Sequence, residues 1–182
     1  MSTIEWLSQR PRAALGWLAT LLAAVLAGCG PGVGGTGTGD TASALAYFGA
    51  NPASLCSSEL AALAACRYDG TTATAVPGAA PVLLVDAAAG ARVRVRLYED
   101  SAELVEACAP LEFRGQWGVV AGQAGRFYGH TDPDVAPAPA LLEAQPSGTG
   151  LRLTLRDAEG RVLLGPVIVT ATAAPPGTPV CP

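Results

Sequence analysis

The chain has 182 residues with eleven arginines, no lysine, 15 acids and a net charge of −4, roughly one domain's length. That charge excludes nucleic-acid binding driven by overall basicity, and the missing lysine excludes Schiff-base chemistry and a P-loop, which both need its amine. Alanine supplies 36 of the nominally hydrophobic residues, so Leu, Ile, Val and Phe make up only 34 of the 154 positions after residue 28, enough for a small core.

Residues 1–12 carry Arg10 and Arg12 against a single acid, Glu5, and residues 13–27 (AALGWLATLLAAVLA) are uncharged and apolar or small. As a helix this run would be about 22 Å long, short of the roughly 30 Å hydrocarbon core of a bilayer. A basic flank, a short apolar run and small residues beyond it predict a cleaved signal peptide over residues 1–28 rather than a membrane span.

The tetrapeptide that closes this run, Leu26-Ala27-Gly28-Cys29, resembles the lipobox of bacterial lipoproteins. The resemblance covers the N-terminal segment alone. It implies cleavage between Gly28 and Cys29, a diacylglyceryl thioether on Cys29, and acylation of the new amine by a fatty acid such as palmitate. The chemistry suits the residues, because a thiolate is readily alkylated and small side chains let a peptidase reach the backbone. Two or three acyl chains, at about 0.8 kcal/mol per buried CH2, anchor a protein where one chain does not. Gly30 rather than Asp follows the cysteine, so in a cell with two membranes the resemblance implies the periplasmic face of the outer one.

Residues 30–40 (GPGVGGTGTGD) contain six glycines and cannot bury enough surface to offset their ordering entropy. With Cys29 they form the expected tether, residues 29–40. Residues 41–182 are read as a single domain.

Within it, residues 41–48 and 51–66 show helix signals, the second opened by Asn51-Pro52. Residues 68–81 (YDGTTATAVPGAAP) have turn chemistry and no period, which predicts a loop. Residues 92–98 (RVRVRLY) alternate strictly, with Val93, Val95 and Leu97 on one face. Residues 151–156 repeat the device with Leu151, Leu153 and Leu155. Further strands are expected over 82–86, 111–121, 126–131, 140–144, 161–164 and 167–172. Gly165-Pro166 between the last two predicts an edge position or a bulge. The expected fold is mainly β, a small antiparallel sandwich or barrel of about six or seven strands preceded by short N-terminal helices.

Cys56, Cys66, Cys108 and Cys181 are an even set in a chain with export features, which predicts two disulfides. Their spacing matches no zinc pattern. An unbroken helix would hold Cys56 and Cys66 about 15 Å apart, whereas a disulfide tolerates roughly 7 Å between Cα atoms. The helical reading therefore leans toward pairing each of them with Cys108 or Cys181, though all three connectivities stay open.

Several constellations could carry chemistry. His130, the only histidine, lies near Asp132 and Asp134, but the set lacks metal-ligand spacing. Glu99, Asp100, Glu103 and Glu106 could supply paired carboxylates to a peptidoglycan hydrolase, although a short solvated helix with Glu103 and Glu106 on one face explains them more simply. Trp117, Phe127 and Tyr128 could stack on a sugar or a peptide or fill the core. Arg92, Arg94, Arg96, Arg152 and Arg156 would form a candidate anion-binding face if their two strands were neighbours, since guanidinium forks suit phosphates and carboxylates. No motif implies a catalytic residue, a metal or a cofactor. The expectation is a non-enzymatic binding or structural module, anchored to a membrane and facing an envelope protein, peptidoglycan or anionic lipid. An envelope hydrolase and a carrier of an apolar ligand are the alternatives.

Overall fold

The computed structural model describes residues 41–86, 90–173, 178, 179 and 181. The signal segment, Gly28, Cys29 and residues 30–40 lie outside the described residues.

A helix α1 (Thr41–Phe48) comes first, where the sequence predicts it. The second predicted helix is absent. Residues 51–66 instead hold a two-residue strand β1 (Asn51–Pro52) and 3-10 turns at Leu55–Ser57 and Ala61–Leu63. Serine side chains compete here for the backbone groups a helix would use. The Ser54 hydroxyl accepts from Cys56 N at 3.2 Å, and the Ser58 hydroxyl accepts from Leu60 N at 3.1 Å. Upstream, Asn51 and Pro52 pair with Val119 and Gly118, which fixes them extended.

The predicted loop over 68–81 contains a hairpin, β2 (Cys66–Asp69) and β3 (Thr72–Ala75), turning at Gly70 with φ +70°. Eight longer strands follow: β4 (Val82–Val85), β5 (Val93–Leu97), β6 (Ser101–Glu106), β7 (Leu111–Val119), β8 (Arg126–Thr131), β9 (Ala138–Ser147), β10 (Gly150–Asp157) and β11 (Val162–Ala171). Each pairs antiparallel with the next, and β11 returns to β4 through Thr170↔Val85 and Ala171↔Leu84, closing an eight-stranded barrel. Closure removes the free edges that an open sheet would expose. β1 adds an extra strand beside β7.

The short helix expected around Glu103 is the strand β6. Alternation decides it: Ala102 and Leu104 point inward, while Glu103 and Val105 point outward. The two strands expected on either side of Gly165-Pro166 are one bulged strand, β11. Its register against β10 shifts between Leu153 and Leu155, where Gly165 sits at φ +100° beside the Leu153 carbonyl. A bulge accepts both the missing proline N–H and the glycine conformation.

The inward face supplies the core. Leu84, Val95, Leu97, Leu104, Phe113, Trp117, Phe127, Leu142, Leu151, Leu153, Leu155 and Val169 are all at most 3 % exposed and form one cluster. Leu55 and Leu60, from the 3-10 segment, join that cluster fully buried. On the outer wall α1 packs against β7 and β8, with Leu45 over Gly118 and Phe48 against Tyr128.

Candidate functional site

The two disulfides are Cys56–Cys66 and Cys108–Cys181, with Cα separations of 5.6 and 5.4 Å. This corrects the lean against the local pair. The separation of about 15 Å presupposed an unbroken helix, and the 3-10 turns fold that segment back on itself. Cys66 begins β2, so the bridge clamps the base of a hairpin whose strands are largely exposed. Such an isolated hairpin is marginal in water without a clamp.

The arginines divide into two groups. Arg94 and Arg96 lie on β5 and Arg152 and Arg156 on β10, with β4 and β11 between them in the barrel wall. Arg92 bonds Glu106 at 2.8 Å and Arg96 bonds Glu103 at 3.2 Å. Arg94 donates to the Ala91 carbonyl at 3.2 Å. Arg156 shares Glu143 with Arg126, at 3.2 and 3.3 Å. Arg152 is exposed and makes no salt bridge among the described residues. The five guanidiniums therefore do not share one patch.

Nor do the acids converge. Glu103 faces outward and Glu106 inward, each against its own arginine. Glu99 and Asp100 line a cleft of about 270 Å³ with Tyr98, Ser101, Ala65, Val76, Gly78 and Ala79. Burial pushes the Tyr98 phenol above its usual value, and Glu103 adds to the effect through its charge and a hydrogen bond.

His130 sits on the outer wall of β8, opposite Arg114 and Pro139, and is 7 % exposed. Asp134 pairs with Arg114 at 3.0 Å. Among the described residues no group of three or more His, Cys, Asp and Glu side chains is placed to hold a metal ion. Trp117 and Phe127 meet edge-to-face inside the barrel at 5.0 Å, while Tyr128 faces out beneath α1. Only two of the three aromatics thus share a site, and that site is the core. Burial raises the Tyr128 phenol's pKa, opposed by Arg126.

The outer face of β10 and β11 is the feature that sequence reasoning missed. Arg152 lies directly across from Ile168, and Arg156 across from Val162. Val162, Leu163 and Ile168 are 50, 42 and 47 % exposed. The available signal was the run of apolar residues over 162–169 (VLLGPVIV), which unlike residues 151–156 places no charge on its outward face. Comparison with known proteins finds no matching family model, no similar curated protein and no similar solved structure.

Proposed function

We propose that the chain is an exported bacterial lipoprotein, held at a membrane through acylated Cys29 and presenting its barrel as a non-enzymatic binding or structural module. The observation that carries this reading is the cysteine pairing. Cys56–Cys66 and Cys108–Cys181 account for every cysteine after position 29. Disulfides of this kind belong to oxidising compartments. Cys29 is the remaining thiol, and it stands in the lipobox-like tetrapeptide. Gly30 after it favours the periplasmic face of an outer membrane.

A module is preferred to a hydrolase because each of the acids Glu103 and Glu106 is engaged by its own arginine on a different face of the wall. It is preferred to a carrier because the barrel's interior side chains pack against one another in a single buried cluster. Cell fractionation tests the anchor. The native chain is expected in the membrane pellet and Cys29→Ala in the soluble periplasmic fraction. A native chain that does not sediment with the membrane would overturn the proposal.

A further inference from the structure

We propose that the outer face of β10 and β11 is a bilayer-contact surface, on which Val162, Leu163 and Ile168 enter the lipid interface beside the guanidinium of Arg152. The inference rests on the lipid-anchor reading above and adds an orientation to it.

Three observations carry it. The first is apolar exposure concentrated on one strand, where β6 and β7 each expose a single valine, Val105 and Val119. Val162, Leu163 and Ile168 lie within seven residues of β11 and are each 42–50 % exposed, where the other barrel strands turn mostly polar or half-buried side chains outward. Several exposed apolar side chains on one strand mark a candidate interaction surface. The second is the kind of charge beside it. Arg152 is exposed, makes no salt bridge among the described residues, and lies opposite Ile168. A guanidinium beside apolar side chains suits the boundary between anionic headgroups and acyl chains, and it does so within a chain of net charge −4.

The third is reach. Residues 29–40 separate the acylated cysteine from α1, a contour of about 40 Å at 3.3 Å per residue. A compact domain of the size of residues 41–182 is roughly 37 Å across, from the usual scaling of radius of gyration with length. With this face turned to the bilayer, Thr41 lies within the contour of the tether wherever it sits on the barrel. The tether is therefore long enough for this strand to meet the membrane.

Bulging suits the role as well. Leu163 is the extra residue between Val162 and Leu164, and Gly165-Pro166 withholds an N–H from any incoming strand. Main-chain pairing with a second copy is disfavoured by that proline, while side-chain insertion into lipid is not.

The test uses the mature lipidated chain in vesicles of phosphatidylethanolamine and phosphatidylglycerol, with and without lipids brominated near the carbonyl end of their chains. Trp117 is the only tryptophan after position 28 and is 3 % exposed, so the native chain is the baseline. Ile168→Trp is expected to lose roughly half of its added emission in brominated vesicles, because an interfacial side chain sits within about 5–10 Å of the headgroup boundary. Val105→Trp, on the outer wall of β6, is expected to match the baseline. Arg152→Glu in the Ile168→Trp background is expected to reduce the quenching; unchanged quenching would strike Arg152 from the contact. Leu163→Trp replaces Ile168→Trp if that variant melts abnormally. Flotation with the vesicles but no quenching at 168 or 163 would overturn this proposal alone. A dimer in detergent alongside that result would assign the strip to a second copy. Failure to float would overturn the anchor and this proposal together.

Discussion

Phe48 of α1 sits with its ring 5.4 Å from that of Tyr128 on β8, and the helix thereby buries a phenol on the outside of the barrel. Tyr128 is 2 % exposed, and its Oη has no hydrogen-bond partner among the described residues. An unpaired buried hydroxyl costs about 1–3 kcal/mol of desolvation. Tyr128→Phe keeps the ring against Phe48 and removes that cost. Its unfolding free energy is expected to equal or exceed that of the native chain, by up to about 1 kcal/mol. A loss larger than this would mean that the hydroxyl is satisfied.

Two glycines on neighbouring strands should respond differently to the same substitution. A Cβ on Gly129 would run into the Arg114 carbonyl and the Gly115 backbone, whereas at Gly118 it would meet first the Leu45 side chain, at 2.6 Å. Backbone cannot move aside as a leucine can. Gly129→Ala is therefore expected to cost about 3 kcal/mol or more and Gly118→Ala about 1–2, read from urea unfolding. Gly118→Ala should also loosen α1, seen as faster amide exchange over Thr41–Phe48 with the barrel strands unchanged.

Strand β5 was readable because Val93, Val95 and Leu97 are buried while Arg94 and Arg96 are not, so burial and sequence carry the same period. Hairpin β2–β3 was hidden for the opposite reason. Both its faces are largely exposed, so no buried set exists to leave a pattern. Strand β6 was obscured by Glu106, an acid at an inward position that Arg92 satisfies at 2.8 Å. Eight inward-facing stripes were nearly all visible, but the barrel's closure was not, since it depends on the long-range pairing of Thr170 and Ala171 with β4. The same limit separated the two arginine strands, whose alternation is local but whose neighbours are not.

The disulfides should differ in worth. Cys108–Cys181 spans 73 positions and Cys56–Cys66 ten. The entropy lost by the unfolded chain scales with loop length, about 4.4 against 2.7 kcal/mol for these two spans. Replacing Cys108 and Cys181 by serine is expected to lower the melting temperature more than replacing Cys56 and Cys66. The reverse order would show that the local bridge stabilises by holding Leu55 and Leu60 in the core.

Asp157 provides a pH signature. Burial alone would raise its pKa, but the backbone N–H and guanidinium of Arg161 and the N–H of Glu159 outweigh that and hold it below its ordinary value. A depressed carboxylate contributes stability above its unfolded pKa and loses it as pH falls through the lower folded value. The melting-temperature difference between the native chain and Asp157→Asn should thus be constant well above the unfolded carboxylate's pKa of about 4 and shrink as pH falls through the lower folded value. A difference that does not change with pH would assign the effect to the turn geometry instead of the charge.

The mass of the N-terminal peptide of the membrane-extracted protein bears most directly on how this chain is held in place. The expected species begins at Cys29 and carries a diacylglyceryl group with a further acyl chain on its amine. A mature chain that begins elsewhere, or a Cys29 peptide without added lipid, would contradict the anchor and with it the proposed membrane-facing role of β11.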